Sequence, residues 1–185
     1  MALYIALLRG INVGGKNKIK MAELRKIVEE AGLSSVQTYI QSGNVLFEST
    51  DNEQSVREKM QQAIEAAFGF SVTVILRTAE EIQNTLASCP FSEKEILEAE
   101  AASAAESLYL AFLLEEPSEE KVDLLTKIKS EDQYRIEGRE IYLLFQNSIR
   151  NSKLAASLKK LNVPATVRNW KTVTKLAGMA EAMKE

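Results

Sequence analysis

"VQTYIQSGNVLFES", residues 36–49, sets two runs of strand-forming residues on either side of Ser42-Gly43. Apolar alternation on both sides of a residue that tolerates positive φ predicts a β-hairpin turning at Gly43. Strands joined by so short a turn must pair antiparallel, so the sheet they belong to cannot be the parallel sheet of a nucleotide-hydrolysing fold. Upstream, "LYIALL" (3–8) predicts a buried strand. Met21, Leu24, Ile27, Val28 and Ala31 then recur at helical spacing until Gly32 supplies a left-handed stop. Downstream, Asp51 with Gln54 predicts the cap of a second helix, on which Val56, Met60, Ala63, Ile64 and Ala67 share a face before Gly69. "SVTVIL" (71–76) predicts another strand, and Thr78 with Glu81 spells a capping box for a third helix reaching Cys89-Pro90. The order is βαββαβ and then a helix.

Residues 107–185 repeat that order. "SLYLAFLL" (107–114) predicts a strand, Pro117-Ser118 opens a helix, and "YRIEGREIYLLF" makes a hairpin at Gly138. Ser152 to Leu161 predict a helix, Ala165 to Val167 a strand, and Trp170 onward a last helix. Tyr39 and Phe47 stand four residues before and after Gly43, as Tyr134 and Tyr142 stand about Gly138; Arg77 and Arg168 each follow a final strand. The expected fold is therefore α+β, with duplicated ferredoxin-like (βαββαβ) units, antiparallel sheets and an extra helix after each unit. The expected division is 1–91 for the first unit with its trailing helix, 92–106 for a connecting segment rich in alanine and glutamate, and 107–185 for the second unit with its C-terminal helix. By propensity the connection is either helical or a mobile linker.

Composition narrows the chemistry. The 185 residues contain no histidine, which removes serine-histidine and cysteine-histidine catalysis and the commonest ligand of zinc and copper. No metal site and no cofactor are expected. Cys89 is the only cysteine, so no intrachain disulfide forms and a cytoplasmic setting is expected. "MALYIALLRG" has no basic region before its apolar run and no small-residue cleavage site after it, and reads as a first strand rather than a signal peptide. No stretch approaches the roughly 18 apolar residues of a membrane span, so no membrane partner is expected. Net charge is −3, yet residues 9–20 and 146–180 together carry +11 with no acid, leaving −14 for the rest, and residues 92–132 hold twelve acids against four lysines. Such segregation points to a basic face for an anion, or simply to solvated lysines on helices.

"RGINVGGKNKIK" (9–20) imitates a phosphate-binding loop, running G-x-x-x-x-G-K from Gly10. It lacks the hydroxyl that would hold magnesium, Asn17 standing in its place, and its helical periodicity begins near Met21 rather than at the lysine. It reads instead as a glycine-rich strand-helix connection. An RNA-recognition sheet shares the βαββαβ order, and Tyr4 with Phe47, or Tyr109 with Tyr142, are its possible stacking pairs. Against it, these strands are apolar on both faces, as strands covered on both faces are.

"RGINVGGKNKIKMAELR", "YIQSGNVLFES", "RTAEEI…CPF", "SKLA" and "PATVRNWKTVTKL" together resemble the bacterial domain of unknown function family 1697, in order and over essentially the whole chain. The resemblance implies a pair of ferredoxin-like units and brings no established activity, substrate or catalytic residue. Its motifs fall on polar loop residues that a fold alone does not demand: Arg9, Asn12, Gly14, Gly15, Lys16 and Asn17; Gln41, Ser42, Gly43 and Asn44; Ser152 and Lys153; Arg168, Asn169 and Trp170. Structural alternatives stand beside each. Gly43 supplies positive φ, Asn44 satisfies the turn, Asn169 and Ser152 cap helices, Trp170 packs in a core, and Cys89 is a small buried hydrophobe.

Taken together, these features lead to the expectation of a binding protein for an anionic ligand, a nucleotide-like metabolite or a nucleic-acid backbone, held by the glycine-lysine loop and the basic C-terminal segment. The alternatives are a transferase or hydrolase on a phosphorylated or carboxylated substrate, with Lys16 or Arg168 steadying charge, and a structural or partner-binding protein whose asparagines serve the backbone.

Overall fold

The computed structural model describes residues 1–103 and 106–185. Its strands form two four-stranded antiparallel sheets, so the fold is α+β. The first contains β1 (Ala2–Leu8), β2 (Ser34–Tyr39), β3 (Asn44–Ser49) and β4 (Val74–Thr78), with α1 (Met21–Glu30) before β2, α2 (Glu53–Phe68) before β4 and α3 (Ala79–Ala87) after it. Then come α4 (Glu93–Ala102), β5 (Leu108–Leu113), α5 (Glu119–Thr126), β6 (Gln133–Glu137), β7 (Glu140–Leu144), α6 (Lys153–Ser157), β8 (Ala165–Asn169) and α7 (Trp170–Met183). The spatial orders, β2-β3-β1-β4 and β6-β7-β5-β8, are the same arrangement twice, each the split βαβ in which the third strand separates the first from the second. The chain divides into two compact units, Met1–Gln83 with Lys175–Glu185, and Asn84–Thr174.

In the first unit Tyr4, Ala6 and Leu8 of β1 join Val45 and Phe47 of β3 and Val74 and Leu76 of β4 on one face of the sheet. They pack with Leu24 and Val28 of α1 and Val56, Met60 and Ile64 of α2. The alternate residues Ile5, Leu7, Leu46 and Ile75 are just as fully buried, so the other face is also shut off from water. The second unit has the same two-sided burial, with Ala111, Leu113, Ile141 and Leu143 in one cluster and Leu110, Phe112, Tyr142 and Leu144 buried on the alternate positions. Of the aromatics that a base-binding sheet would offer, Tyr4, Phe47 and Tyr142 are buried, and Tyr109 is half-buried. Tyr4 stacks on Phe47 with centroids 5.7 Å apart and donates its hydroxyl to the Asp51 carbonyl. Tyr109 meets Phe145 edge-on, and Tyr142, 1% exposed, donates to the Thr85 carbonyl at 2.7 Å.

Local details depart from the sequence expectation where a competing residue stands one or two places away. The cap of α2 is Asn52, whose side chain accepts the Ser55 N–H; Asp51 instead pairs with Lys59 at 2.7 Å. The strand expected at 71–76 lies at Val74–Thr78, with the Thr73 carbonyl accepting the Arg9 N–H just before it. Thr78 and Glu81 do form the expected box, with bonds of 2.7 and 3.2 Å. Of the connecting segment, residues 93–102 are helical behind a Ser92–Glu95 capping box, while positions 104 and 105 lie outside the described residues. The helix expected over 152–161 is a short α-helix continued by a tighter 3-10 turn, Leu158–Leu161, ending on Asn162 in the left-handed region.

Candidate functional site

The stretch that imitates a phosphate-binding loop folds as a miniature hairpin. Lys16 N–H donates to the Val13 carbonyl at 3.0 Å and Asn12 N–H to the Asn17 carbonyl at 3.1 Å, with Gly14 and Gly15 at φ +58° and +74° between them. Two central residues at positive φ make the tight turn that matches strand twist, which is why two glycines stand here. Asn17 closes the base, its amide donating to the Gly10 carbonyl at 3.2 Å. The helix that follows, α1, starts at Met21, well past the glycines.

Asn12 fixes this hairpin to the rest of the unit. Its Nδ2 donates to the carbonyls of Ile19 at 3.0 Å and Gln41 at 2.8 Å, and its Oδ1 accepts the Ile19 N–H at 2.9 Å. The bond to Gln41 spans 29 residues and joins the glycine loop to the β2-β3 turn. In that turn Asn44, fully buried, donates to the Tyr39 carbonyl and the Ser42 hydroxyl. Gly43, at φ +86°, sits so close to Ile11 and Leu8 that a Cβ there would come within 2.5 Å of Ile11 Cδ1. Asn12 and Asn44 are thus backbone buckles.

The two loops enclose an open concavity of about 530 Å³ lined by Asn12, Gly15, Lys18, Ile19, Lys20, Glu23 and Gln41. Lys18, Lys20 and Glu23 are exposed and make no ion pair or hydrogen bond with other described residues, and the Gln41 carboxamide is likewise uncommitted. The N-cap position of α1 is Lys20, which provides no side-chain cap. The first N–H groups of the helix and the N–H groups of Gly14 and Gly15 therefore have no acceptor among the described residues. Donors predominate, and Glu23 is the one acid on the wall.

Of the residues singled out in the sequence, Asn12, Gly15 and Gln41 meet in this concavity, with Gly14, Lys16 and Asn17 on the same hairpin. Arg9 is exposed just beyond β1, its N–H on the Thr73 carbonyl. The remaining candidates belong to the other unit. Ser152 and Lys153 line a different concavity of about 420 Å³. There the Ser152 hydroxyl donates to Asp132 at 2.6 Å while accepting the Ala155 N–H, so a carboxylate of the protein already sits at this helix start. Arg168 is a residue of β8, 7% exposed, with its guanidinium on Thr166 Oγ1 and the Val167 carbonyl; burial lowers its pKa to about 10. Asn169 Oδ1 accepts the Thr172 N–H at 2.9 Å, as a cap of α7, and Trp170 is half-buried. Lys18 and Lys20 counted in the sequence only as part of the basic charge of 9–20, and Glu23 not at all, since charged residues at a helix start look like ordinary solvated ones; the missing N-cap hydroxyl before Met21 was the available signal. Among the described residues no cluster of three or more acids or cysteines could hold a metal ion, and no helix is long and apolar enough to cross a membrane.

Comparison with known proteins adds family but no activity. A solved structure, that of the conserved bacterial protein SP0830 from Streptococcus pneumoniae, is similar over 98% of this chain and 99% of its own, with 28% identity and a TM-score of 0.73. No curated protein matches. A family model described as "Protein of unknown function (DUF1697)" matches residues 1–142, a stretch containing every residue of the concavity beside the glycine hairpin. The chain belongs to that family of unknown function, DUF1697.

Proposed function

We propose that the protein binds an anionic ligand in the concavity between the glycine hairpin and the β2-β3 turn. What carries this reading is a set of donors with no acceptor among the described residues. Lys18 and Lys20 are exposed and unpaired, the start of α1 is uncapped, and the amides of Gly14 and Gly15 make no hydrogen bond among the described residues. Consecutive free amides beside cations favour phosphate or carboxylate oxygens, and the positive end of the α1 dipole adds to the same field. Lys16, at the end of the hairpin turn, and Arg9 stand in the same basic loop. The volume lies in the range of small-molecule pockets. The repeated strand order supports an internal duplication of which only the first copy carries this loop, and the single cysteine suits a reducing cytoplasm.

Isothermal calorimetry and thermal shift at low salt, with inorganic phosphate, pyrophosphate, the nucleotides and short single-stranded RNA, test it. Binding of at least one of these, weakened about tenfold or more by a Lys18→Ala/Lys20→Ala double variant, is the expected result. No ligand-dependent heat or shift across the panel overturns it.

A further inference from the structure

Resting on that anion-binding reading, we infer that the ligand is a ribonucleoside phosphate taken one molecule at a time, with Glu23 reading its ribose hydroxyls and Ile40 and Val13 bearing on its base. Three features beyond the cations point there. First, the concavity also offers acceptors. The Glu23 carboxylate has no hydrogen bond or ion pair with other described residues, and the Gln41 carboxamide, equally uncommitted, can accept as well as donate. A bare oxyanion satisfies none of these acceptors and is repelled by Glu23, whereas a phosphate carrying vicinal hydroxyls meets donors and acceptors together.

Second, the neighbours of two wall residues are apolar and exposed. Val13, next to Asn12, is 66% exposed, and Ile40, next to Gln41, is 45% exposed. The Asn12–Gln41 bond draws their two loops together. Ile40 also holds φ at +49°, a conformation that a β-branched residue adopts only at a cost, where glycine would sit without strain. An isoleucine kept exposed and strained next in sequence to Gln41 of the wall has its use in apolar contact with something outside the chain.

Third, a continuous nucleic-acid strand fits poorly. Strand binders combine a long basic groove with aromatic stacking platforms. Here the wall carries an acid, and Tyr4, Phe47 and Tyr142 are sealed in the protein interior. A compact ligand with one phosphate group, one diol and one flat apolar ring matches the groups present.

The test is calorimetry on the full chain with the four common ribonucleoside monophosphates, their dideoxy counterparts lacking both ribose hydroxyls, pyrophosphate, and short single-stranded RNA. At least one ribonucleotide should bind about tenfold more tightly than its dideoxy counterpart, the usual order for hydrogen bonds to a charged group. Glu23→Gln should bring that ratio to within about twofold while leaving pyrophosphate affinity unchanged or higher. Ile40→Gly should raise the melting temperature by relieving strain, yet weaken the nucleotide several-fold without affecting pyrophosphate. Equal affinity for ribo and dideoxy forms in the unaltered protein overturns the inference, as does an equal effect of Glu23→Gln on nucleotide and pyrophosphate, or RNA binding tighter than every mononucleotide. In each of those cases retained pyrophosphate binding leaves the anion site standing; if no phosphate binds at all, both readings fall.

Discussion

Replacing Asn12 by alanine removes three hydrogen bonds at once, the two from Nδ2 to the Ile19 and Gln41 carbonyls and the one that Oδ1 accepts from Ile19 N–H. Each such bond is worth about 0.5–1.5 kcal/mol net, and the lower half of that range suits a half-exposed site, so their loss costs about 2 kcal/mol. Asn12 also holds φ at +54°, where alanine pays a further cost of about 1 kcal/mol that asparagine partly avoids through its local hydrogen bonds. Asn12→Ala should therefore destabilise the protein by about 3 kcal/mol and Asn12→Gly, which keeps the backbone free, by about 2 kcal/mol. Asn12→Asp should be at least as harmful as alanine, since it turns a donor facing two carbonyls into a repelling oxygen. Urea denaturation of the three variants measures this, with an unchanged slope expected because the surface exposed on unfolding is unaltered. An Asn12→Ala loss below about 1 kcal/mol, or glycine as harmful as alanine, would refute the view that this side chain buckles the two loops together.

Other positions separate strain from crowding. Gly43→Ala meets both a positive φ and an Ile11 Cδ1 atom 2.5 Å from the new Cβ, and should cost about 2–4 kcal/mol, whereas Gly69→Ala, at a similar φ in open space, should cost about 1 kcal/mol; thermal melts compare them. Tyr142→Phe removes a buried hydroxyl from the Thr85 carbonyl and should lower stability by about 1–2 kcal/mol in urea titrations. The Glu95 carboxylate, held by the Ser92 N–H and hydroxyl, titrates below the ordinary glutamate range. Its folded pKa is the lower one, so its contribution to stability is present above the unfolded value and disappears as pH falls through the folded value. An NMR titration should find Glu95 shifted down in the intact protein and less so in Ser92→Ala.

Much of the fold was legible because short-range physics wrote it. Period-two runs about Gly43 and Gly138 announced hairpins, and Thr78 with Glu81 announced a capping box, since each signal resides in residues a few places apart. Where adjacent residues competed, only geometry chose: Asp51 and Asn52 are both able caps, and Asn52 took the helix while Asp51 found Lys59. Arg77 and Arg168 read as junction residues at the ends of apolar runs, yet the ladder continues through them, opposite Ile5 and Leu110, and buries both.

The glycine loop divides the same way. By itself the sequence settled what "RGINVGGKNKIK" is not, because a missing hydroxyl and a helix that begins five positions past the lysine are local facts. In the folded chain Gly10, Gly14 and Gly15 and the two asparagines Asn12 and Asn17 hold positive φ there, on the residue types that backbone sterics penalise least. That Lys18, Lys20 and Glu23 would face the same hollow as Gln41 was decided only by tertiary structure. The wall is assembled by one asparagine amide reaching 29 residues along the chain, and no spacing within either loop encodes where the other will lie.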